Sequence, residues 1–122
     1  MRQEVIKTIC PSDMRLKLKP LSVNEAWKGR RKKTDKYIGY TLLVKSLLKP
    51  LDIPDGELVV TLTFGFSSRG GDVDNPVKCF IDILSKYYGF NDNRIVEMHL
   101  RKIVVDKGGE FINFDISAKA DF

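Results

Sequence analysis

Histidine, cysteine and tryptophan are scarce in this 122-residue chain, which has one His, two Cys and one Trp. A lone His99 supplies no zinc cluster, and no Ser/His/Asp relay is advertised around it. Cys10 and Cys79 stand in unlike surroundings and form no CxxC or Cys/His group, so neither a disulfide framework nor a structural zinc site is supported. Both read as small, buried or half-buried hydrophobes. Long apolar runs are missing as well. No stretch approaches the roughly 20 apolar residues of a transmembrane helix, and Met1-Arg2-Gln3-Glu4 leads into no signal-peptide core. A cytoplasmic protein without a membrane partner is the expectation. With histidine and cysteine chemistry set aside, any hydrolysis here must lean on carboxylates.

What the chain does have is basic charge. Twenty-one Lys and Arg stand against 16 Asp and Glu, a net charge of +5, with 43% hydrophobic and 30% charged residues overall. That balance suits one soluble domain over 1–122 with a single core. The basic excess is uneven: Lys28, Arg30, Arg31, Lys32, Lys33 and Lys36 fall within nine positions around Trp27. Such a run is most often a solvated loop, but at this density it is also the footprint of a polyanion-binding surface. Trp27 could stack on an unpaired base there or anchor the loop to the core.

Hydrophobic periodicity sets the expected architecture. Met14 to Lys19 alternates like a half-exposed strand ended by Pro20, and residues 1–13 read as an N-terminal arm or an extra edge strand. A long basic loop covers 21–33. Thr34 is an N-cap, and Tyr37, Ile38, Leu42, Val44, Leu47 and Leu48 give a helix closed by Pro50. Leu58, Val60, Leu62, Phe64 and Phe66 form one strongly apolar strand face. Val77, Phe80, Ile81, Leu84 and Tyr88 share a helical stripe that stops at Gly89. Arg94–Val105 alternates as a strand, and Asp106-Lys107-Gly108-Gly109 reads as a hairpin turn to a partner strand over Phe111–Ala118. The class expected is α+β, a mixed sheet of four or five strands with two helices on one face.

The chemistry concentrates in Asp72-Val73-Asp74-Asn75-Pro76-Val77-Lys78. Pro76 belongs in a first helical turn and pushes its predecessor to extended geometry, which makes Asn75 the expected N-cap and leaves Asp72 and Asp74 in extended chain, pointing to one side. Two like charges so placed repel unless a cation neutralises them. Their hard oxygens favour Mg²⁺ or Mn²⁺ over zinc. Lys78 at the helix start needs local compensation, either from Asp82 at i+4 or from facing the carboxylates and a scissile phosphate.

Together with Gly89-Phe90, Asp92, Val96 and the Lys107-Gly108-Gly109 turn, this motif resembles the RusA-type Holliday-junction resolvases, and the similarity runs from about Arg15 to Ile116. The resemblance implies a homodimeric, Mg²⁺- or Mn²⁺-dependent endodeoxyribonuclease. Such an enzyme binds four-way DNA junctions and resolves them by paired symmetric nicks, in phage or bacterial recombination and repair. It assigns catalysis to Asp72, Asp74, Asp92 and Lys78, metal binding to the three aspartates, and junction binding to Arg69 and the Lys28–Lys36 cluster. No small-molecule cofactor is implied. Some members carry Asp-Asp where this chain has Asn91-Asp92. Asp92 poses a geometric problem, since a straight helix from Pro76 to Tyr88 spans about 20 Å. Either the chain doubles back after Gly89, the helix is oblique or broken, or Asp92 serves a second subunit's site. Alternative readings are a non-catalytic nucleic-acid-binding module, or a nuclease for other branched or single-stranded DNA.

Overall fold

A strand with leucine, valine or phenylalanine at every second position and valine, threonine and glycine between is best satisfied inside a sheet, with a neighbour on each edge. The segment Leu58–Phe66 (β4) takes that place in the computed structural model, which describes residues 14–28, 32–70 and 72–120. Three other strands join it: β1 (Met14–Leu16), β5 (Ile95–Val104) and β6 (Phe111–Ala118), in the order β1-β6-β4-β5. β5 runs parallel to β4, from Leu58 opposite Ile95 to Phe66 opposite Val104. β6 is antiparallel to β4 on its other side, and β1 is antiparallel to β6 with Met14 opposite Phe114.

This order corrects the expected hairpin. β5 and β6 are consecutive in sequence but lie on either side of β4, so the connection 105–110 must cross two strand spacings, about 10 Å, where a tight hairpin turn crosses one. It passes the end of β4, where Val105 N–H donates to Phe66 C=O at 2.7 Å. β4, the most apolar strand, claims both neighbours, while β5 carries charge on alternate positions and lies at the sheet edge.

Two longer helices cover one face of the sheet: α2 (Asp35–Leu47) and α3 (Val77–Tyr88), preceded by a single-turn α1 (Val23–Ala26). Leu58, Val60, Leu62 and Phe64 of β4, with Ile112, Phe114 and Ile116 of β6, meet Tyr37, Tyr40 and Val44 of α2 and Phe80, Ile81 and Leu84 of α3 in one core. The ring of Phe80 packs edge-on to Phe114 at 5.7 Å. The fold is α+β, with a mixed four-stranded sheet. No helix among the described residues is long and apolar enough to cross a membrane.

The expected stripe on α3 is the buried one, with Val77 and Tyr88 at its half-buried ends. On α2 the outcome is mixed: Tyr37 and Val44 are buried, whereas Ile38 and Leu42 face solvent and Tyr40 takes the inward position. Thr34 caps α2 as expected. Its hydroxyl accepts from Tyr37 N–H at 3.1 Å and donates to Glu25 C=O at 2.6 Å, tying α1 to α2. The described residues of the basic stretch, 21–28 and 32–33, are not all loop. Besides α1 it holds a two-strand ribbon, β2 (Trp27–Lys28) with β3 (Lys32–Lys33), Trp27 opposite Lys33. The proposed arm over 1–13, with Cys10, lies outside the described residues, as do Arg30 and Arg31.

Candidate catalytic site

β4 ends at Phe66 and delivers the chain to the acidic motif. There the backbone winds instead of running straight: Asn75 N–H donates to Asp72 C=O and Val77 N–H to Asp74 C=O, each at 3.2 Å. α3 begins at Val77, with Pro76 in the cap position at φ −87°, ψ −2°, its carbonyl accepting from Phe80 N–H at 3.3 Å. The helix therefore starts one residue later than expected, Asn75 is not its cap, and Asp72 and Asp74 sit in overlapping turns and not in extended chain. Proline fits here because a residue without an N–H forfeits no bond where the helix has no acceptor to offer.

Pro76 is fully buried, and Val73 and Val77 pack on the core. These three pin the turns from beneath, leaving the Asp72 and Asp74 carboxylates exposed. Neither side chain is committed to a hydrogen bond or ion pair among the described residues. Two exposed, uncommitted oxygen donors suit a hard divalent cation. Among the described residues, however, no three His, Cys, Asp or Glu side chains gather closely enough to hold a metal ion together. The third expected ligand, Asp92, is not grouped with the pair.

Asp92 is drawn to Lys78 instead. Lys78 Nζ lies 3.1 Å from Asp82 Oδ1 and 4.0 Å from Asp92 Oδ2. The helix-length problem is met within the chain, because Gly89 ends α3 at φ 74°, a left-handed geometry that glycine adopts without a Cβ penalty. Gly89 and Phe90 N–H both donate to Ser85 C=O, at 2.9 and 3.0 Å, and Phe90 is buried, so the chain turns back along the helix. Asn91 then caps a short 3-10 helix, Asp92–Arg94, by accepting from Asn93 N–H at 2.9 Å. Arg94 fixes the start of β5 by donating to the carbonyls of Gly56, at 2.9 Å, and Pro54.

Lys78 has the i+4 partner foreseen for it and a second carboxylate besides. Its hydrogen bond to Asp82, the charge of Asp82 and, less strongly, that of Asp92 raise its pKa above the ordinary lysine value. It stays a cation at neutral pH, able to stabilise negative charge but not to act as a base.

The expected DNA-binding residues divide. Lys33 helps line a shallow cavity of about 90 Å³ between α2 and α3, together with Tyr37, Thr41, Lys45, Asp82 and Lys86. Its Nζ stands 5.2 Å from the centre of the Tyr37 ring. Lys36 is paired with Glu25 at 3.0 Å, which holds that carboxyl below its usual range. Lys32 and Arg69 are exposed, and the Arg69 carbonyl accepts from Lys102 Nζ at 2.9 Å. For Trp27 and Lys28 only the backbone pairing is described.

Three residues at this groove were not singled out as functional from the sequence: Lys45, Lys86 and, beyond its pairing with Lys78, Asp82. The helical spacings Tyr37/Thr41/Lys45 and Asp82/Lys86 were the available signal, because each set lies along one face. His99 is an exposed residue, 2.6 Å from Glu97. Tyr87 is exposed. No protein-family model matches the chain, and no curated protein matches it.

Proposed function

We propose that the protein is a metal-dependent endodeoxyribonuclease for branched DNA, a Holliday-junction resolvase of the RusA type acting as a homodimer. The observation that carries this reading is the approach of Asp92 to Lys78, at 4.0 Å, beside the exposed Asp72/Asp74 turn. That approach joins two of the four residues this reading needs, from positions fourteen apart, and supports it to that extent.

In this reading Asp72 and Asp74 would hold a Mg²⁺ or Mn²⁺ ion, with Asp92 as the third carboxylate. Such an ion, when bound, supplies activation of a water and neutralisation of phosphate charge. Lys78, kept protonated by Asp82, directs its ammonium at the negative charge that builds on the scissile phosphate. Lys33, Lys45 and Lys86 extend positive charge along the groove that Asp82 also lines, giving the DNA backbone a path toward Lys78. Phosphate contacts of this kind position the DNA without reading its sequence.

A non-catalytic DNA-binding module is the second reading, and one observation favours it: Lys78 is engaged by Asp82, and the three aspartates are not grouped. Incubating the protein with an immobile four-way junction and a matched linear duplex, in Mg²⁺ or EDTA, separates the two. Paired nicks confined to the junction, lost in Asp72→Asn and Asp74→Asn, are the expected result. Junction binding without cleavage under Mg²⁺ and Mn²⁺ would establish the binding module instead. Cuts spread over flaps and single strands would point to a nuclease of other specificity.

A further inference from the structure

β5 is a ten-residue strand bonded on one side only, since it ends the sheet order, and nothing among the described residues covers its outer edge. Proteins usually keep such edges short, bulged or guarded by lysine. This one is long, and it exposes Val96 (48%), Leu100 (37%), Ile103 (41%) and Val104 (46%). Its apparent guard, Lys102, is turned inward: Nζ donates to Arg69 C=O at 2.9 Å and lies 5.5 Å from the Phe66 ring.

We infer that the β5 edge is the surface on which two copies of this chain pair, antiparallel, about a two-fold axis through His99. The sequence of the strand is self-complementary about that point. On the sheet face away from the helices, Glu97 falls opposite the partner's Arg101, and Arg101 opposite the partner's Glu97. Ile103, on that row, falls opposite the partner's Ile95, which the register shift beside Leu58 turns toward the core. On the helix face, Met98 meets the partner's Leu100. Moving the axis by one residue sets Arg101 against His99 or Ile95 and leaves Glu97 and Arg101 unmatched with each other. Opposite charges directly across a ladder stabilise it, and like charges destabilise it. Two four-stranded sheets would become one continuous sheet.

The inference deepens the paired-cutting reading by naming the surface that would join two sites. It rests on that reading only for its biological use, and its test reads assembly alone.

Glu97 and Arg101 of one strand are about 13 Å apart at the rise of a β-strand, too far to pair within a chain. Glu97 also pairs within its own chain with Lys119, at 2.7 Å, and with His99; Glu97→Arg breaks those pairs too, so it is the recovery on mixing the two charge-exchanged variants that reports contact between copies. In sedimentation equilibrium of the full chain, wild type should give twice the 13.9 kDa chain mass. Glu97→Arg and Arg101→Glu should each weaken self-association on the order of tenfold to a hundredfold, because each replaces both cross-strand attractions with repulsions. An equimolar mixture of the two variants should regain dimer near wild-type strength, one chain offering two bases and the other two acids. Far-UV circular dichroism would confirm that the substitutions at half-buried Glu97 and exposed Arg101 leave the fold intact. A wild type that stays monomeric overturns the inference. So would single variants that dimerise undiminished, or a mixture no tighter than either variant alone.

Discussion

Gly65→Ala tests how the open face of the sheet is packed. Gly65 lies directly opposite Phe111 across the β4–β6 ladder, and the Phe111 ring covers the glycine. A methyl built on Gly65 would stand 2.5 Å from Phe111 Cε1 and 3.2 Å from Cγ, well inside contact distance. The ring has little freedom to yield, since Phe111 is only 7% exposed and the Arg15 guanidinium lies 4.1 Å over its centre.

Two effects oppose each other in this substitution. Alanine restricts the unfolded chain more than glycine does, a gain of about 0.4–1 kcal/mol. Overpacking a fixed site costs about 1–3 kcal/mol, and displacing the ring also forfeits its cation contact, worth about 0.5–1 kcal/mol. The net is a loss of about 1–2 kcal/mol, or roughly 3–8 °C in melting temperature for a domain of this size. Urea and thermal unfolding of wild type, Gly65→Ala, Phe111→Ala and the double variant would close a cycle. With the ring removed, the alanine methyl has room, so Gly65→Ala should be neutral or stabilising in the Phe111→Ala background. An equal cost of Gly65→Ala in both backgrounds would refute the reasoning, because the clash would then not lie with the ring.

Two more perturbations test the helix layer. Thr34→Ala removes both the cap bond to Tyr37 N–H and the bond to Glu25 C=O, and should cost about 1–2 kcal/mol in urea unfolding, with Thr34→Ser retaining most of it; equal loss in both variants would show that the hydroxyl is not the cause. Burial pushes Tyr37 and Tyr88 from 10.0 up to about 12, and Tyr40 higher still. A raised phenol pKa means that the folded state holds its proton longer, so the contribution is complete below pH 10 and is lost as pH rises from about 10 toward 12, near 1.4 kcal/mol per pH unit for a buried tyrosine. Lys78, also raised, acts in the same direction. Tyrosinate absorbance and circular dichroism followed together should change in step above pH 10; full ionisation near pH 10 with unchanged dichroism would contradict the burial argument.

The elements legible in the sequence are those whose side chains repeat with one period. Leu58 to Phe64 alternates cleanly, Val77 to Tyr88 keeps a helical stripe, and Thr34 and Gly89 mark ends by chemistry that acts locally. Strand order is not written that way. Alternation in β5 and β6 says that each has a buried face, but not that β4 would lie between them. The short ribbon that pairs Trp27–Lys28 with Lys32–Lys33 is not legible in the sequence, because three of its four residues are lysines and show no hydrophobic alternation. At the site, the identities of Asp72, Asp74 and Lys78 could be read directly, as could the pairing of Lys78 with Asp82. The local rule for Pro76 placed the helix one residue early, because the hydrogen bond from Val77 to Asp74 winds the chain before the helix begins. The closeness of Asp92 to Lys78 depends on the reversal after Gly89, which is a three-dimensional outcome of burying Phe90.

The pairing of Met14 with Phe114 carries a consequence for how the chain is made. Among the described residues the first strand has the last as its neighbour, so β1 must wait until β6, about a hundred residues later, has been made before the two can bond. Closing so long a loop adds little to the final thermodynamic cost, because the entropy grows only with the logarithm of length. It does delay the event, and sheets built from distant pairings form slowly. Until β6 arrives, β4 stands with one edge bare, even though α2 and α3, both made earlier, are at hand to cover its apolar face.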